Sequence, residues 1–161
     1  MKKLKIYLDT SVISFCFADD SPEYKKTTLE FFGNCHNYET FISEIVLFEI
    51  NKTVDAKLKQ KFIDLIREYD LKIQEIEKNK EKEIELLVKK YTDAGIVPLK
   101  KIEDAYHIAI ATVYEFDVLL SWNFKHIANV NKNVKINGIN QEHNYLKEIR
   151  IVTPLEVVVY E

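Results

Sequence analysis

Lys5-Ile6-Tyr7-Leu8-Asp9-Thr10-Ser11-Val12-Ile13 is the stretch that decides how this chain is read. Lys5–Leu8 leans apolar and forms a short strand candidate that breaks off on a carboxylate. A carboxylate at the carboxyl end of a buried strand is costly to desolvate unless something pairs with it. Asp9 therefore reads either as a cap or turn residue or as a ligand poised over a sheet rim. The choice depends on whether other acids arrive at the same place.

Outward from this stretch, strand-like and helical patterns alternate. Ser21-Pro22-Glu23 supplies a cap residue, a first-turn Pro and an acid, a helix start that runs to Gly33-Asn34. Glu39–Ile42 is a second strand candidate, and Ser43 then caps a helix carrying Ile45, Val46, Phe48 and Glu49. Val54–Tyr69 places Leu58, Phe62, Leu65 and Ile66 on one helical face. Leu71–Ile76 alternates like a strand. Asn79–Tyr91 forms another amphipathic helix with a charged outer face, and Gly95 is placed to end it. Ile102–Tyr114 is rich in Ala and Ile, which suits a helix buried on several sides. Val118-Leu119-Leu120-Ser121 is the continuous apolar run of a strand inside a parallel sheet. Asn129–Asn144 reads as a short helix plus loop, and Ile149–Val152 and Val157–Val159 are strand-like. The alternation predicts an α/β fold, a parallel sheet covered on both faces. Ligand sites in such sheets form beyond the carboxyl ends of the strands, near a topological switch point.

Composition bounds the function. The chain has 161 residues, the size of one domain spanning 1–161, and 47% of them are hydrophobic. Lys and Arg number 23 against 26 Asp and Glu, a net charge of -3, which does not suggest a protein that coats nucleic acid through bulk charge. No run approaches the ~20 apolar residues that span a bilayer. The N-terminus starts like a signal peptide, but Asp9 interrupts it before an apolar core of ~7–15 residues can form. Cys16 and Cys35 lack a CxxC spacing and read as free thiols, so a cytoplasmic protein with no membrane association is expected.

Two further acids stand where acids are unexpected. Glu49 interrupts Ile45-Val46-Leu47-Phe48-Glu49-Ile50, a segment otherwise wholly apolar. Either it is the polar edge of a helix, or it is paired or bound to a cation. Asp104 opens Asp104-Ala105-Tyr106-His107-Ile108-Ala109-Ile110-Ala111. The helix dipole favours an acid in that first turn, so capping explains either Glu103 or Asp104. His107 sits one turn on and reads as a residue supporting the site. One acid at the mouth of each of several α/β units, with no Cys, suits magnesium or manganese. Crowded carboxylates without the metal should titrate with raised, coupled pKa values.

These residues resemble the PIN-domain ribonucleases, and within them the VapC-like toxins of toxin–antitoxin pairs. The resemblance rests on Ile6–Ile13, Ser43–Ile50, Glu103–Ala111 and Val118–Ile127, with Ile149–Glu156 similar to the family's last strand and the turn after it. It implies a PIN-like three-layer α/β/α sandwich around five parallel strands. It also implies a magnesium- or manganese-dependent endonuclease acting on RNA, with Asp9, Glu49 and Asp104 as metal ligands. Ser11 and Ser121 match positions whose hydroxyls support those ligands. An antitoxin partner and a homodimer are expected on the same ground.

The fourth block departs from the family pattern. Many relatives carry an acid where this chain has Asn123 or His126. Asn123 is expected to act as a neutral ligand or to position water. Lys100, Lys101 and Lys125 flank the expected site, either as phosphate contacts or as solvated surface. The missing charge motivates the alternative of a catalytically weakened PIN fold that binds protein or RNA. A phosphotransferase with a nucleophilic Asp9 is the third reading. It is disfavoured because Ser11 stands where such enzymes often carry a second Asp.

Overall fold

In the computed structural model, which describes residues 2–157, five parallel strands form one sheet in the order β3-β2-β1-β4-β5. The strands are β1 (Lys5–Leu8), β2 (Glu39–Ser43), β3 (Lys72–Gln74), β4 (Val118–Leu120) and β5 (Arg150–Val152). β1 lies in the middle because it is apolar on both faces: Ile6, Tyr7 and Leu8 are all buried. It pairs with β2 through Ile6↔Thr40 and with β4 through Tyr7↔Leu119. The chain moves from β1 out to β3, then returns to β4 on the other side. The topological switch therefore falls beside the end of β1, where Asp9 stands.

Helices cover both faces, giving the expected three-layer α/β/α sandwich. α1 (Thr10–Phe15) packs on α2 (Pro22–Gly33), α3 (Glu44–Asn51) and α4 (Ala56–Glu68). α5 (Glu81–Asp93) lies along α6 (Ile102–Val113) and also touches α7 (Val130–Glu142). α6 is the most buried helix, with Ala105 and every residue from His107 to Val113 inside. One continuous apolar cluster joins the sheet to both layers.

Several local expectations change. Ser21 occupies the N-cap of α2 but its side chain makes no cap hydrogen bond, so Pro22 and the first-turn Glu23 mark that start. Thr10–Phe15, unassigned from sequence, is a helix that Asp9 caps through Val12 N–H. The helix expected from Val54 starts at Ala56, with Asp55 accepting from Lys57 and Leu58 N–H. The helix expected from Asn79 begins as a 3-10 turn at Lys78–Lys80 and becomes α-helical at Glu81.

The largest difference is α7, a continuous helix where a short helix plus loop was expected. Three of its asparagines are satisfied by tertiary partners. Asn133 and Asn137 donate to Ile149 C=O, and their amide oxygens accept from Ile151 and Ile149 N–H. Asn140 is buried and bonds to Tyr91 and Thr112. Asn133 and Asn137 meet the open edge at β5, where unpaired backbone groups would otherwise remain. Val157 lies in a turn after the short Pro154–Glu156 helix, and the rest of the strand expected at Val157–Val159 falls outside the described residues.

Among the described residues no helix is long and apolar enough to cross a membrane. Cys16 and Cys35 are free and buried.

Candidate active site

Asp9, Glu49 and Asp104 come from three different elements and gather at the carboxyl rim of the sheet. Asp9 follows β1 and is 3% exposed. Its Oδ1 accepts from Ser11 Oγ at 2.5 Å and its Oδ2 from Ser121 Oγ at 2.5 Å. Ser121 is the residue after β4, so the β1–β4 pairing sets this contact. Burial raises the Asp9 pKa, while His107, the two serines and Val12 N–H oppose the rise. The same serine hydroxyls accept Trp122 and Asn123 N–H, each at 2.9 Å. They thereby tie the loop after β4 to Asp9.

Glu49, on α3, is the second acid. Its Oε1 accepts from Thr10 Oγ1 at 3.0 Å and meets His107 Nε2 at 2.6 Å. Burial works against its charge, but the hydrogen bond and charge of His107, with Thr10 and Lys52, hold its pKa below the usual value. His107 is fully inside, where burial alone would lower its pKa. Glu49, then Asp9 and Asp104, raise it instead, which favours the imidazolium. Its Nδ1 lies 2.7 Å from Tyr7 Oη, which lies 2.6 Å from Ser43 Oγ. With His107 doubly protonated, Nε2–H donates to Glu49, Nδ1–H to Tyr7, and the Tyr7 hydroxyl to Ser43. Ser43 also caps α3 by accepting Ile45 N–H. The helix that presents Glu49 is therefore anchored to the central strand.

Asp104, in the first turn of α6, is the third acid. Burial pushes its carboxyl up to about 6, with the charges of Asp9 and Glu49 adding and His107 and Asn123 opposing. Asp104 and Asp9 are thus raised, mainly by burial, whereas Glu49 is lowered by His107, so the rise expected of all the crowded carboxylates holds for only two of the three. Glu103, its neighbour, instead reaches Lys52 Nζ at 3.7 Å. Both acids line the same cleft, but only Asp104 is bonded to Asn123.

Asn123 donates from Nδ2 to Asp104 Oδ2 at 3.0 Å, and its amide oxygen accepts His126 N–H at 3.0 Å. Its carbonyl is thus engaged by the backbone of its own loop. Glu49, Asp104 and Asn123 line an open cleft of about 580 Å³ together with Lys52, Lys100, Lys101, Glu103, Lys125 and His126. All three lysines singled out from sequence are in its wall. His126 Nδ1 is the one buried side-chain polar atom without a hydrogen-bond partner among the described residues. Burial, then Lys132, Lys125, Lys101 and Lys100, lower the His126 pKa.

The donor set suits a hard divalent cation. It is made of carboxylate oxygens, and Asp104 Oδ1 and Glu49 Oε2 accept no hydrogen bond among the described residues. Among those residues no three Asp, Glu, His or Cys side chains converge tightly enough to form a metal shell by themselves. Magnesium binds through one or two carboxylates and keeps several waters, so a cluster this open fits it. Thr10, Tyr7 and Lys52 were not singled out from sequence, and Ser43 was read only as a helix cap. A Tyr inside an otherwise apolar central strand is a signal, because its buried hydroxyl must find a partner.

Comparisons with known proteins bear on the family and the fold. Residues 6–130 match the family model described as PIN domain. No curated protein matches the chain. Among solved structures, the chain is similar to one in the complex of VapBC2 from Rickettsia felis bound to a DNA fragment from their promoter. The two share 14% sequence identity with a TM-score of 0.57, over 93% of this chain and 98% of that one. At that identity the likeness concerns the fold. The family match covers most of the chain and includes Asp9, Glu49, Asp104 and Asn123: this protein belongs to the PIN domain family, whose members are generally nucleases.

Proposed function

We propose that this protein is a divalent-metal-dependent endoribonuclease, the toxin of a type II toxin–antitoxin pair. The observation that carries this reading is the meeting of three acids, from the end of β1, α3 and α6, at one rim, with Asp104 pushed up to about 6. An arrangement that raises a carboxylate's pKa by burial and like charge favours a cation that relieves it.

Asp9, Glu49 and Asp104 are the residues that would hold magnesium or manganese. When bound, the cation supplies an activated water and neutralises charge on the phosphate. Ser11 and Ser121 hold Asp9 in place and keep it oriented. His107 and Thr10 do the same for Glu49, and Asn123 for Asp104. Lys100, Lys101 and Lys125 draw phosphates into the cleft. The expected hydrolysis adds water across one P–O bond, leaving a phosphate on one fragment and a hydroxyl on the other.

The test is cleavage of a mixed RNA pool with manganese. Asp9→Ala should cut at least about 100-fold more slowly than wild type, the scale of losing a group that stabilises the transition state. Equal cleavage by both proteins would remove the assignment.

Asn123 favours a second reading, a PIN fold whose chemistry is weak and which acts by binding. Its engaged carbonyl leaves the fourth corner without an acid. Under that reading calorimetry finds manganese bound no better by wild type than by Asp104→Ala. The toxin reading further implies a protein antitoxin, homodimerisation and a cytoplasmic location. The structural neighbour is itself from a toxin–antitoxin complex, and co-purification with the product of an adjacent small gene checks the first of these.

A further inference from the structure

On each side of the acid cluster an aromatic ring stands in solvent directly beside a site residue. Phe48 precedes Glu49 on α3 and is 56% exposed. Lys52, which lines the cleft, holds its Nζ 4.3 Å from the centre of the Phe48 ring. Phe124 is 46% exposed and lies between Asn123 and Lys125, both in the cleft wall. α3 follows β2, and the loop carrying Phe124 follows β4. These strands flank β1 on opposite sides, so the two rings are carried by elements that leave the sheet on either side of β1.

Phe124 is held in place rather than left over from the core. Its ring centre is 6.1 Å from that of Trp122 and 6.2 Å from that of Tyr24. Trp122 is 4% exposed, packs with its ring centre 4.6 Å from that of Tyr24 at a tilt of 42°, and donates its indole N–H to Thr28 at 2.8 Å. This base fixes the ring while leaving nearly half of it in water. Pre-positioned aromatic rings interleaved with lysines are what an unpaired nucleic-acid strand requires. Its bases stack on the rings and its phosphates meet the cations. Lys52, Lys100, Lys101 and Lys125 line the cleft whose wall residues the two rings adjoin, a charge that complements a polyanion better than an apolar peptide.

We propose that Phe48 and Phe124 are base-stacking subsites, one on each side of the scissile phosphate. The proposal rests on the nuclease reading above and deepens it. A duplex buries its base faces, so only a strand unpaired on both sides of the cut can use both rings.

The test is fluorescence anisotropy with a fluorescein-labelled, unstructured uridine-rich RNA, in calcium to suppress hydrolysis. The intact protein should bind this RNA more tightly than the same RNA annealed to its complement. Phe48→Ala and Phe124→Ala should each weaken single-strand binding about 5- to 100-fold, the range for losing one stacked base. Phe124→Leu should bind as poorly as the alanine variant and Phe124→Tyr nearly as well as wild type, with unchanged thermal unfolding in each case. The proposal falls if the alanine variants bind like wild type. It also falls if Leu replaces Phe without loss, which would mark the rings as an apolar surface for a protein partner. Manganese-dependent cleavage by wild type separates the two failures. Cleavage with unaffected Phe variants removes only the subsites, whereas neither binding nor cleavage by wild type removes the nuclease reading itself.

Discussion

Burial and the charges of Asp9 and Glu49 push the Asp104 carboxyl up to about 6, against an ordinary 3.8. A carboxyl whose folded pKa exceeds its unfolded value prefers its proton in the native state. Below pH 3.8 both states are protonated and there is no penalty. The penalty grows as pH rises from about 4 to about 6 and is complete above that. Asp104→Asn should therefore stabilise the metal-free protein at pH 7.5 by about 1 kcal/mol, after discounting for solvent screening, and not at pH 3.5. Urea titrations at the two pH values check this, and an equal gain at both would contradict the electrostatic account. The Tyr7 hydroxyl sits between His107 and Ser43. Tyr7→Phe leaves His107 Nδ1 without its partner and should cost about 1–2 kcal/mol in the same assay.

Two helix ends show how far local rules reach. α5 ends with Gly95 at φ 73, its N–H bonded to Thr92 C=O and Ile96 N–H to Tyr91 C=O. That left-handed closure is legible in the sequence because glycine marks it. α6 ends in the same way, with Glu115 N–H on Thr112 C=O and Phe116 N–H on Ala111 C=O, but Glu115 carries φ 54 on a residue with a side chain. Glu115→Gly should stabilise the fold by about 0.5–1 kcal/mol, read as a rise in melting temperature. At α7 the decisive contacts are non-local. Asn133→Ala removes bonds to Ile149 C=O and Ile151 N–H on the β5 edge. Its signature should be faster hydrogen exchange at the Ile151 amide, with the amides of β1 unchanged.

For the whole molecule, metal binding and folding are linked through the same carboxylates. A cation that binds only the native state stabilises it by about 2.7 kcal/mol at a hundred times its dissociation constant. Protons compete for Asp104 and Asp9, both of which titrate above their ordinary values. Manganese should therefore raise the melting temperature at pH 7.5 and do so much less at pH 5. An equal shift at both pH values would mean that the cation binds elsewhere.

The alternation of elements was readable from the chain alone because strand and helix periods, the Ser43 cap and the Gly95 stop are local. The three acids were readable as well, since each interrupts an apolar run or opens a buried helix. Tertiary structure decided how those residues act. Tyr7 and His107 are 100 residues apart, and Ser121 and Asp9 are 112 apart, yet each pair is hydrogen-bonded. The same holds for the choice of Asp104 over Glu103, for Asn123 as Asp104's donor, and for an asparagine-rich helix sealing a sheet edge. A hydrogen-bonding side chain accepts many partners equally well in sequence. Only the packed fold removes water from all but one of them, and that selection is a property of the assembled layers.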